Sequence, residues 1–157
     1  MIRLTRLADY AVLLMTHLGH EWSRHPDRIH NASGLSTETH IPMPTVSKLL
    51  GVMSRGGLLT SHRGQAGGYT LARAPLAISV ADIVGAVDGP IALTDCLTDD
   101  SDCGIESLCG VRTSWQKINS AVLGALSEIS LAELCADQLA MFAPRNPAPR
   151  EQIADVQ

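Results

Sequence analysis

Between Ile41 and Arg73 the chain carries a pattern that few folds accommodate. Pro42 and Pro44 stand where a helix can begin, since a missing N–H does no harm in a first turn. Val46, Leu49, Leu50 and Met53 then recur at i, i+3, i+4 and i+7, the stripe of one buried helix face. Gly56-Gly57 stops that helix. Leu58 to Arg63 and Tyr69 to Arg73 read as two short strands flanking Gly64-Gln65-Ala66-Gly67-Gly68, a hairpin with a flexible tip.

The residues ahead of this unit supply its partners. Leu4, Leu7, Ala8, Ala11, Met15 and Leu18 predict a first helix of about four turns, ending at Gly19, with Asp9 in its middle. Beyond a charged loop containing Pro26, Ala32 to Thr39 reads as a short second helix with Leu35 inward, weakened by Ser33 and Gly34. Three helices and a two-stranded hairpin in that order describe a winged helix-turn-helix. The fold class is therefore mainly α, with residues 1–75 as a DNA-binding domain.

Charge agrees with that division. Residues 1–75 hold eight Lys and Arg against four acids, a net +4, whereas residues 76–157 hold four against twelve, a net -8. The N-terminal half suits a polyanion. On the third helix Thr45, Ser47, Lys48, Gly51 and Arg55 lie off the apolar stripe and offer short donors and two cations to a major groove. The competing reading of that face is ordinary solvation. His62 and Arg63 stand at the hairpin tip, where a guanidinium could enter a narrow minor groove or simply face water.

The second half is helical. Ser79 and Asp82 form a capping-box pattern ahead of Val80, Ile83, Val84 and Val87, and Ser130 with Glu133 repeats it ahead of a last helix. Val111, Trp115, Ile118, Val122, Leu126 and Ile129 keep one side of a long helix apolar over about five turns. So small a chain leaves little for that stripe to pack on, which predicts pairing with a second copy. Residues 76–141 thus comprise a loop and dimerisation helices of a homodimer, and the proline-bearing tail 142–157 is expected to be disordered.

Cys96, Cys103 and Cys109 fall within fourteen residues of that loop, among Asp95, Asp99, Asp100, Asp102 and Glu106. Clustered thiolates suit iron-sulfur clusters, zinc or copper rather than hard cations. The trio is one ligand short of the usual four. The apolar run Ala11 to Met15 is too short for a signal peptide and no stretch has membrane-spanning length, which predicts a cytoplasmic protein without a membrane partner. In a reducing cytoplasm such cysteines bind metal or sense redox state rather than form a disulfide framework. Cys135, between Leu134 and Ala136 on an apolar helix, reads as core. All six histidines lie between His17 and His62, so a histidine completing the site would have to reach across. Without C-x-x-C, catalytic Ser or zinc-protease motifs, nothing points to an enzyme.

Several segments together resemble the IscR and NsrR type family of bacterial winged-helix regulators: Leu4 to Ala11, Ile41 to Leu50, His62 to Tyr69, Ile78 to Ile83 and the three cysteines. The resemblance covers about residues 1–141. The wording of Ile41 to Leu50, of His62 to Tyr69, of Ile78 to Ile83 and of Asp88 to Cys96 is similar to the branch that regulates the SUF cluster-assembly operon. It implies a homodimer on a double-stranded DNA operator, repressing cluster-assembly genes, with Cys96, Cys103 and Cys109 holding a 4Fe-4S or 2Fe-2S cluster that senses cluster status, oxidative or nitrosative stress. The family's cluster-assembly type places a histidine three residues after the third cysteine, where this chain has Arg112. Nitric-oxide-sensing relatives instead use an acid on the first helix of the other subunit, and Asp9 occupies the matching position. Asp9 is accordingly the favoured fourth ligand, ahead of His30 and His40. Structural zinc, or thiol oxidation in place of a cluster, is the alternative.

Overall fold

A computed structural model of the chain describes residues 4–64, 66–97 and 109–142. Helices α1 (Arg6–Arg24), α2 (Ala32–Thr39) and α3 (Met43–Arg55) lead into strands β1 (Leu59–His62) and β2 (Gly68–Leu71). Helices α4 (Val80–Asp88), α5 (Arg112–Glu128) and α6 (Leu131–Phe142) follow, with short 3-10 turns at Pro75–Ala77 and Asp95–Leu97. The tail expected to be disordered lies, beyond Phe142, outside the described residues.

Helix α1 departs from its expected end. It continues through Gly19 to Arg24, because this glycine serves close packing rather than termination. A Cβ at position 19 would lie 2.6 Å from Cys135 Sγ and 3.3 Å from the Leu131 side chain, so α6 approaches α1 only where no side chain intervenes. Asp9 falls in the first turn and not the middle, where its charge faces the positive end of the helix dipole. Thr5 caps the helix, its Oγ1 accepting from the Ala8 N–H at 3.1 Å and donating to Asp88 Oδ1 at 2.7 Å. One hydroxyl therefore ties the start of α1 to the end of α4.

The turn between α2 and α3 rests on local chemistry. Asn31 Oδ1 accepts from the Gly34 N–H at 2.7 Å, which starts α2 despite its weak composition, and Leu35 is buried as expected. His40 closes α2 in the left-handed region, φ 58°, a conformation that His tolerates better than most residues. Ile41 and Pro42 then redirect the chain into α3, whose buried residues are Val46, Leu49, Leu50 and Met53.

The hairpin pairs Leu59 with Leu71, Thr60 with Thr70, Ser61 with Tyr69 and His62 with Gly68, each strand being a little shorter than predicted. Its edge is extended by His30, whose backbone N–H and C=O bond Tyr69 O and N at 2.9 and 2.8 Å. Gly68 permits this approach, since a Cβ there would sit 2.4 Å from the His30 carbonyl oxygen. The wing is thus fixed to the loop preceding α2.

One apolar core joins Leu14, Met15 and Leu18 of α1 to Leu35, Leu49, Leu50, Met53, Ile78, Ile83, Leu131 and Cys135. The last four come from residues 76–141, so the winged helix completes its core with later elements. Both predicted capping boxes form. The Ser79 N–H meets Asp82 Oδ2 at 3.0 Å and the Asp82 N–H meets Ser79 Oγ at 3.1 Å, while the Ser130 N–H meets Glu133 Oε2 at 2.7 Å. Among the described residues, no helix is long and apolar enough to cross a membrane.

Helix α5 is different. None of its residues is buried: Trp115, Ile118 and Leu123 are 37, 46 and 40 % exposed, and Val111 and Ile129 at its ends are exposed too.

Candidate nucleic-acid interface and cysteine site

On α3, Ser47, Lys48 and Arg55 are exposed, while Thr45 and Gly51 are half-buried. The Arg55 guanidinium lies along Gly51, 3.5 Å from where a Cβ would stand, so the small residue gives the cation room against the helix. In the wing His62 is exposed but engaged, its Nε2 3.0 Å from Thr70 Oγ1, and Arg63 is exposed beside Gly64, whose φ of 113° turns the chain. Strand β1 packs on α3, which puts wing and helix in one unit.

Electrostatics favour an anion on this side. Glu21 is paired with Arg28 and Arg24, and Glu38 lies 2.8 Å from His17 Nε2. Asp82 pairs with Arg73 at 3.5 Å. Among the described residues Lys48, Arg55 and Arg63 enter no ion pair, which leaves their charge for phosphates.

His30 is buried behind the wing. Its pKa lies below the ordinary 6.5, chiefly because burial penalises the imidazolium and secondarily because Arg28 is near, against smaller raising effects of Glu21 and Glu38. His40 is exposed at the α2 cap. Both sit in the N-terminal half.

Cys96 is buried at 9 % exposure in the Asp95–Leu97 turn, which packs against α5, and its Sγ lies 3.3 Å from Thr94 Oγ1. Cys109 is half-buried, and its carbonyl accepts from the N–H of Arg112, the first residue of α5. Both are free thiols. Cys103 and the acids Asp99, Asp100, Asp102 and Glu106 lie outside the described residues. Asp9 is exposed on the first turn of α1. Among the described residues no three His, Cys, Asp or Glu side chains gather as a metal site.

The donor chemistry nevertheless fits a soft metal centre. Two free thiols belong to one scaffold, one in the turn packed on α5 and one three residues ahead of that helix, and a hydroxyl beside the Cys96 sulfur can donate to a thiolate. Cys135 differs in kind. Its thiol donates to the Thr16 carbonyl at 3.5 Å, and burial pushes its pKa up, which leaves it an inert core residue as expected.

Sequence reasoning located these cysteines and cations but missed two ties. Thr5 to Asp88 spans 83 positions, and Asn119 bonds the backbone of Ile91 and Leu93 from 28 and 26 positions away. No local pattern signals ties of that range.

The Rrf2 family profile, described as iron-dependent transcriptional regulator, matches residues 4–137. IscR of Vibrio cholerae, a helix-turn-helix transcriptional regulator, is 29 % identical over 136 residues, which cover 87 % of this chain and 76 % of that protein. Among solved structures, CymR, the global cysteine regulator of B. subtilis, superposes with a TM-score of 0.66 at 23 % identity, covering 87 % of this chain and 98 % of CymR. T. potens IscR superposes at 0.64 and 23 % identity, covering 92 % and 94 %. These structures share the winged-helix fold described above.

Proposed function

Since the chain belongs to the Rrf2 family of transcriptional regulators, not of enzymes, we propose that it is a cytoplasmic homodimeric repressor of iron-sulfur cluster assembly genes, responding to a cluster held by Cys96, Cys103 and Cys109. The observation that carries this reading is the placement of two free thiols beside α5, the helix with an exposed apolar side, one in the turn packed on it and one three residues ahead of it. Ligand loop and pairing surface are then neighbours along one helix. Asp9 of the second subunit is the proposed fourth ligand, supported by its exposure on the first turn of α1 and by the Thr5–Asp88 bond, which ties that turn to the end of α4. A bound cluster would supply a centre sensitive to oxidants and nitric oxide, and a carboxylate ligand would be weaker than a fourth thiolate.

DNA binding is proposed for Thr45, Ser47, Lys48 and Arg55 in the major groove, with His62 and Arg63 on the wing. Removing a cation that pairs with a phosphate should lower affinity across sequences and reduce the slope of log affinity against log salt by about 1. Operator titrations of Lys48→Ala and Arg63→Ala at several salt concentrations test this, and unchanged affinity in both would remove the assignment. Anaerobic reconstitution with iron and sulfide counts tests the cluster. Cys103→Ala should lose the visible chromophore, and a variant retaining it in full would exclude the three-cysteine set.

A second reading, in which zinc or thiol oxidation replaces the cluster, is supported by the free thiols of Cys96 and Cys109. A colourless protein containing zinc, or one whose DNA affinity changes on thiol oxidation without iron, would support it.

A further inference from the structure

The connection from α4 to the Cys96 turn has no regular structure of its own, and among the described residues one side chain hydrogen-bonds its backbone twice. Asn119, in the interior of α5, donates from Nδ2 to the Ile91 carbonyl at 3.0 Å and accepts at Oδ1 from the Leu93 N–H at 3.0 Å. A single amide thereby satisfies the C=O of one residue and the N–H of the second residue along, as a neighbouring strand would. Position 119 is half-buried, whereas Ile118 and Ser120 on either side are exposed. Asparagine is a poor interior helix residue because its side chain competes for backbone bonds. Here that tendency is directed outward to a second segment.

From this tether the chain runs directly to the sulfur. The Thr94 carbonyl accepts from the Leu97 N–H at 3.0 Å, closing the turn, and Thr94 Oγ1 stands 3.3 Å from Cys96 Sγ. Toward a thiolate the hydroxyl can only donate, which makes that bond charge-assisted. Helix, amide, linker, hydroxyl and sulfur form one continuous series.

We propose that Asn119 is a positioning residue for Cys96, fixing the linker so that the thiol is held against α5 and presented in one orientation. Its relevance to regulation rests on the reading of Cys96 as a cluster ligand; its effect on the thiol does not. Any displacement of α5 on pairing would carry Asn119, and with it the Cys96 turn, so subunit pairing and ligand placement are mechanically coupled.

The test uses the full metal-free chain and iodoacetamide, with alkylation at Cys96 and Cys109 followed separately by peptide mass mapping. Asn119→Ala should raise the Cys96 rate about tenfold, as expected when two hydrogen bonds are removed, while Cys109 stays at its original rate. Asn119→Asp keeps the acceptor for Leu93 but sets a carboxylate oxygen against the Ile91 carbonyl, and should also accelerate Cys96. Thr94→Val, which leaves α5 untouched, should give a smaller increase confined to Cys96. Unchanged Cys96 rates in both Asn119 variants, with helical content retained by circular dichroism, would overturn the proposal, as would equal acceleration at Cys109. Iron loss to a ferrous chelator after reconstitution gives a second readout, expected to be faster in Asn119→Ala. If the unsubstituted chain takes up no iron, the cluster reading fails, and the alkylation rates still decide the role of Asn119.

Discussion

Helices α1 and α5 have similar lengths, 19 and 17 residues, and both carry apolar residues at helical spacing. Yet α1 buries Ala8, Ala11, Leu14, Met15, Thr16, Leu18 and Gly19, and α5 buries nothing. Periodicity specifies a face, while burial depends on what remains to cover it. In this chain α2, α3, α4 and α6 all converge on α1, and little apolar surface is left to cover α5. The winged-helix half therefore completes its core within one chain, whereas α5 retains an apolar side suited to a second copy.

That contrast makes graded demands on substitutions. The largest effect belongs to Leu50→Ala in the fully buried core, which should cost about 2–5 kcal/mol in urea unfolding. Next comes Gly19→Ala, whose new methyl meets Cys135 Sγ and the Leu131 side chain and should cost about 1–3 kcal/mol. Adding Cys135→Ala should recover part of that stability, and strict additivity of the two would show that α6 does not press on α1 at this point.

A smaller effect is expected from pH. The folded-state pKa of His30 lies below its unfolded value of 6.5, so its contribution is intact above 6.5 and is lost as pH falls through the folded pKa. Urea midpoints should drop from about pH 7 to about pH 5, with a shallower slope in His30→Gln. Smallest in stability should be Ile118→Asp, below about 0.5 kcal/mol for an isolated chain, since the residue is 46 % exposed. Its effect should emerge in sedimentation velocity as a shift from dimer to monomer. A dimer that survived Ile118→Asp unweakened would break the contrast between the two helices.

The elements legible in the sequence are those set by near neighbours. The Val46 to Met53 stripe, the two capping boxes and the glycine-tipped hairpin all depend on residues within a few positions, and all form. Gly19 misleads because a glycine that ends a helix and one that admits another helix look alike until the partner, 116 positions on at Cys135, is known. Asp9 shifts from helix middle to first turn because Thr5 takes the cap. For the candidate site, residue types and spacing point to Cys96, Cys109 and the cations of α3, but not to the amide of Asn119 that organises the approach to Cys96.

Leu131 is wholly buried and Cys135 nearly so, both against the first helix of the chain. Chain growth runs from the N-terminus, so the segment that would seal α1 leaves the ribosome after every other element of the core. Until α6 emerges, Thr16 and Gly19 lie beside an unfilled place, and nascent chains cannot acquire their full stability. A chain lacking α6 would leave that side of α1 uncovered.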